Sequence, residues 1–85
     1  MKRPDQIRQE ILMQLYAQRP LAVGAWRIHR DAWKSHYDYS LEEIARELDF
    51  LEGEGLVERI ASVGSSEIKY KISSAGIKHY EQNFA

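Results

Sequence analysis

Tyr39-Ser40-Leu41-Glu42-Glu43-Ile44-Ala45-Arg46-Glu47-Leu48-Asp49-Phe50-Leu51-Glu52-Gly53-Glu54-Gly55-Leu56-Val57 carries a helix whose two ends are written in side-chain chemistry. Ser40-Leu41-Glu42-Glu43 has the form of a capping box: the Ser40 hydroxyl and the Glu43 carboxylate each satisfy a backbone N–H at the helix start, and Tyr39 can staple onto Ile44. Leu41, Ile44, Ala45, Leu48 and Leu51 follow at three- and four-residue spacing as one apolar stripe. Gly55 then supplies the left-handed residue that commonly ends a helix. The spacing predicts a helix over about 41–54.

Past Gly55 the period changes. Leu56-Val57-Glu58-Arg59-Ile60 reads as a strand, Val63-Gly64-Ser65-Ser66 as a turn, and Ile68-Lys69-Tyr70-Lys71-Ile72 alternates at period two, so strands over about 56–61 and 67–72 pair as a hairpin. Upstream, Pro4 suits a first helical turn, and Ile7, Ile11, Leu12 and Leu15 form a stripe with Tyr16 beside it. Pro20 stops this first helix, expected over about 5–18. Leu21-Ala22-Val23 can be a small third strand. A second helix over about 25–37 is read with Ala25, Trp26, Ile28, Ala32 and Trp33 on one side and Arg27, Arg30 and Lys34 on the other. Ser73 or Ser74 can cap a last helix, about 74–83, along which Ile77, Tyr80 and Phe84 recur.

With 85 residues and 44% hydrophobic content, the chain can bury one core. It is read as a single domain over 1–85. Cysteine is absent, which excludes a disulfide framework and a thiolate zinc site and fits a reducing cytoplasm. No apolar run approaches the roughly 18 residues of a membrane span, and Met1-Lys2-Arg3-Pro4-Asp5-Gln6 is not followed by a signal-type block. A soluble, unprocessed protein is the expectation.

The order helix, short strand, helix, helix, hairpin, helix resembles winged-helix transcriptional regulators. Two segments carry the resemblance: Leu48 to Arg59, a leucine, two residues, a leucine and then glycine-leucine-valine, and Lys69-Tyr70-Lys71-Ile72-Ser73-Ser74-Ala75-Gly76, which closes the wing. It implies an α+β, mainly α fold: a winged helix-turn-helix with a three-helix core, a β-hairpin wing and a C-terminal helix. It also implies binding of double-stranded DNA, with the third helix in the major groove, the second across the phosphates and the wing on a flanking groove. Tyr80 and Phe84 of the C-terminal helix either cover the first helix or, as the resemblance implies, make a homodimer contact.

Charge is unevenly placed on this frame. Residues 1–36 are net +4, residues 37–59 net −6 and residues 60–85 net +1. Neutralising phosphates supplies most non-specific DNA affinity, so Glu42, Glu43, Glu47, Asp49, Glu52 and Glu54, answered by Arg46 alone, oppose insertion of the third helix. The phosphate-contacting candidates are Arg27, Arg30 and Lys34 on the second helix and Lys69 and Lys71 on the wing, with Arg46 near the bases. Each set has a plainer reading as well: a solvated helix face, and outward positions of an edge strand. Two hypotheses follow. One is a small DNA-binding regulator; the other is an adaptor whose acidic third helix offers Glu43, Glu47 and Phe50 to a protein partner.

The remaining residues do not assemble a catalytic site. His29 and His36 lie about 10 Å apart along a helix, too far to ligate one metal. No phosphate loop, nucleophilic triad or cofactor motif is present, and no enzyme activity is expected. Trp26 and Trp33 are read as core and interhelix packing rather than as a platform for single-stranded bases.

Overall fold

A computed structural model describes residues 2–61 and 63–84; Met1, Ser62 and Ala85, which the expected span 1–85 includes, lie outside the described residues. The order is α1 (Arg3–Gln18), β1 (Val23–Gly24), α2 (Ala25–Lys34), α3 (Leu41–Gly53), β2 (Val57–Ala61), β3 (Ile68–Ile72) and α4 (Ser74–Asn83). The domain is thus α+β and mainly helical. Its three-stranded antiparallel sheet has the order β1-β3-β2.

Helix α3 forms as its boundary residues dictate. Ser40 Oγ accepts from the Glu43 N–H, and the Glu43 carboxylate accepts from the Ser40 N–H, which completes the capping box. At the other end Gly55 sits at φ +74°, with its N–H bonded to the Glu52 carbonyl and the Leu56 N–H to the Leu51 carbonyl. This is a Schellman cap, and the left-handed position is filled by the residue that adopts it without strain.

Helix α2 ends in the same motif with a different residue. The His36 N–H reaches the Trp33 carbonyl and the Tyr37 N–H reaches the Ala32 carbonyl, while His36 itself takes φ +71°. The second helix therefore stops at Lys34 rather than near Tyr37. Nothing in the sequence marks this stop, because histidine occupies the place where glycine is usual.

The core is built from Ile7, Ile11, Leu12 and Leu15 of α1, Ile28 and Ala32 of α2, Ile44, Leu48 and Leu51 of α3, and Val23, Val57, Tyr70 and Ile72 of the sheet. Tyr39 and Ile44 both belong to it, as the staple requires. Leu41 and Ala45, expected in the apolar stripe, are exposed. At about 100° per residue, Ala45 lies roughly 100° from Ile44 and 120° from Leu51, off the core-facing side.

The sheet corrects a second expectation. β3 is central, pairing Val23 with Tyr70 on one side and Val57 with Ile72, Arg59 with Tyr70 and Ala61 with Ile68 on the other. Lys69 and Lys71 are therefore not edge-strand positions. They share the outer face of the sheet with Glu58 and Ile60, their cross-strand neighbours. Ser73 joins the hairpin to α4: its Oγ accepts from the Gly76 N–H and donates to the Gly55 carbonyl at 2.6 Å.

Candidate nucleic-acid interface

The solvent face of α2 carries both basic and aromatic side chains. Arg27, Arg30 and Lys34 lie on it, as their spacing implies. Trp26 and Trp33, expected in the core, are 54% and 65% exposed and flank Arg30 on the same face. The expectation fails on helical geometry: Trp26 lies about 160° around the helix from Ile28 and about 120° from Ala32, so both cannot face inward together. The Arg30 guanidinium sits 5.0 Å from the Trp26 ring centroid, a cation–π contact. Asp31 lies 3.4 Å from Arg30 and 3.9 Å from Arg27. Lys34 forms no ion pair among the described residues. The face keeps a net positive charge.

Helix α3 presents a different surface from the one its composition suggests. Glu43 and Glu47 point toward α1 and not to solvent. Arg3 Nε lies 2.6 Å from Glu43 Oε2, with a second contact to Oε1, and its guanidinium also donates to the Asp38 carbonyl. Arg3, followed by the Ser40 N–H, holds the Glu43 carboxyl down at about 2. Glu47 is 3% exposed and accepts from Arg8 Nε at 2.6 Å and from Arg46 Nε at 3.3 Å. Phe50 stands under the Arg8 guanidinium, 3.6 Å from ring centroid to charge. The expectation that Glu43 and Glu47 are offered to a partner is therefore corrected, since Arg3 and Arg8 of α1 hold them, whereas Phe50 stays 43% exposed beside Arg8. The solvent-facing strip of α3 is Glu42, Ala45, Arg46, Asp49 and Glu52.

The hairpin contributes Lys69, exposed on β3, and Lys71, half-buried opposite Glu58. Burial pushes the Tyr70 hydroxyl up; Asp49 and Glu52 add to the shift and Arg59 opposes it. Acids of α3 and a cation of β2 thus both act on that hydroxyl. Tyr80 of α4 is stacked on Tyr16 of α1 with centroids 4.5 Å apart, and Phe84 packs on Tyr80 at 5.6 Å while staying partly exposed.

No family model, curated protein or solved structure matches this chain. The reading of the surface rests on its own residues. Among the described residues no helix is long and apolar enough to cross a membrane, and no three His, Cys, Asp or Glu side chains gather as metal ligands.

Three features of this surface were missed in the sequence. Arg3 and Arg8 carry no signal there, because the acids they pair with lie on another helix, 40 and 39 residues on. The outward tryptophans were legible from a helical projection. Arg59 was legible as a strand residue but not as a neighbour of α3.

Proposed function

We propose that the chain is a winged-helix protein that binds double-stranded DNA chiefly through phosphate contacts from α2 and the hairpin. The observation that carries this reading is the separation of charge. Arg27, Arg30 and Lys34 are turned to solvent on α2, while Glu43 and Glu47 of α3 are turned inward and paired with Arg3 and Arg8. The element order and the β1-β3-β2 sheet support the winged-helix part. Glu42, Asp49 and Glu52 remain on the open strip of α3, so that helix sits shallowly. Arg46 is its single cation there and the candidate for reaching a base edge. Lys69 and Lys71 extend the cationic surface along the hairpin. A regulatory role in transcription, and a homodimer through Tyr80 and Phe84, belong to the same proposal.

Fluorescence anisotropy of a mixed-sequence duplex tests it. If Arg27, Arg30 and Lys34 each neutralise a phosphate, the log–log salt slope is about −2.7, a loss of roughly 40-fold in affinity between about 50 and 200 mM salt. Arg27→Ala/Arg30→Ala should flatten that slope by about 1.8. Absence of binding at the lower salt, or an unchanged slope in the double variant, overturns the proposal.

A second reading has one observation in its favour. Two exposed tryptophans beside an arginine have the composition of a protein-interface anchor. Trp26→Ala/Trp33→Ala separates the two: under the DNA reading it leaves the salt slope in place, and under the adaptor reading it removes partner capture.

A further inference from the structure

We infer that the depression between α1 and the segment joining α2 to α3 binds a small organic cation carrying a primary ammonium group. The inference is independent of the DNA reading. It begins with Glu10, which is 7% exposed in the middle of α1. One carboxylate oxygen, Oε2, accepts from Gln14 Nε2 at 2.8 Å, and Gln14 also donates to the Ile28 carbonyl. Glu43 and Glu47, the other acids at the helix packing, each have an arginine within 2.6 Å, whereas no cation pairs with Glu10 among the described residues. Taking a carboxylate largely out of water without a counter-charge is costly, and a cation that reached Glu10 would offset that cost.

The surroundings of Glu10 fit that partner. It lines a depression of about 430 Å³ together with Gln6, Gln9, Met13, Tyr37 and Tyr39, within the size range of small-molecule sites. Among the described residues no sealed-off side-chain oxygen or nitrogen lacks a hydrogen bond, so the second Glu10 oxygen is not sealed from solvent. Tyr37 and Tyr39 stack with centroids 5.5 Å apart and form an aromatic wall. Aromatic faces attract ammonium groups, and Tyr39 already has the Arg3 guanidinium 5.1 Å from its centroid. Arg3 cannot serve Glu10 as well, because Glu43 and the Asp38 carbonyl hold it. An ammonium brings three donors, which a carboxylate oxygen, the side-chain carbonyl of Gln9 and water can accept. A divalent metal is a poorer match, since one carboxylate and two amides give too few hard ligands.

Putrescine is the probe, titrated into the full chain and followed by NMR. The expected result is saturable shifts at the Gln6 and Gln9 side-chain amides, the Met13 methyl and the Tyr37 backbone. Glu10→Gln keeps the size of the side chain and an acceptor for Gln14, and should weaken binding at least about tenfold with the rest of the spectrum unchanged. 1-Butanol, which keeps the four-carbon chain but has no ammonium group, tests the wild-type protein without any variant and should produce none of these shifts. Non-saturating shifts, shifts centred on Glu42, Asp49 and Glu52, an equal response to 1-butanol, or undiminished binding by Glu10→Gln would each overturn the assignment.

Discussion

Replacing Gly76 by alanine sets two effects of opposite sign against each other, and the structure decides between them. On propensity alone the change helps, because alanine is favoured over glycine in a helix by about 1 kcal/mol. At this position, however, a Cβ would stand only 2.0 Å from the Leu56 carbonyl oxygen and 2.7 Å from Ile72 Cγ1. Backbone must move, and it is occupied backbone: the same Leu56 oxygen accepts from the Ser73 N–H at 3.1 Å, and Ser73 Oγ caps α4 through the Gly76 N–H while donating to Gly55. Overpacking costs about 1–3 kcal/mol, the weakened cap about 1 and a strained hydrogen bond about 1. The net loss is therefore about 2–4 kcal/mol. In a domain of this size that lowers the melting temperature by roughly 10–25 °C. Thermal and urea unfolding followed by far-UV circular dichroism measure it. A midpoint equal to or above wild type would refute the close approach of α4 to the start of β2.

Three further outcomes follow from the helix contacts. Arg8→Ala leaves the buried Glu47 with Arg46 alone and should cost about 1–3 kcal/mol in urea unfolding, whereas Arg8→Met/Glu47→Leu should return to within about 1 kcal/mol of wild type. Because Arg3 lowers the Glu43 carboxyl from its ordinary 4.5 to about 2, its contribution to stability is present above pH 4.5 and is lost as pH falls toward 2. Glu43→Gln should flatten that acid limb in a pH series of melts. His36→Gly relieves a left-handed histidine and should raise stability by up to about 1 kcal/mol, while a lower midpoint would show that His36 makes a compensating contact.

What the sequence could reveal followed the range of its physics. Ser40, Glu43 and Gly55 act within a few residues of themselves, so the ends of α3 were readable from local spacing. The alternation through Ile68, Tyr70 and Ile72 likewise gave the strand and its inward side. Glu47 was misread as open because its burial depends on Arg8, a residue of another helix, and no local pattern announces a pairing across that distance. Lys69 and Lys71 were open to an edge reading because strand order depends on where β1 docks. Glu10 carried no signal at all. An acid among the polar positions of α1 looks solvated until α2 and the segment after it are laid against it.

The placement of β1 also sets an expected order of events in folding. Its two residues pair with β3 alone, Val23 with Tyr70 and Gly24 with Lys69. That pairing closes a long loop, and it gains only two residues of ladder for the entropy it gives up. The hairpin of β2 and β3 closes a short loop over five paired positions, beside the capped start of α4. Local closure is the faster step, so the C-terminal half should assemble first and serve as the template on which Val23 and Gly24 settle. Substitutions at Val57 and Ile72 would then slow folding, whereas substitution at Val23 would mainly speed unfolding, a contrast that chevron kinetics can read.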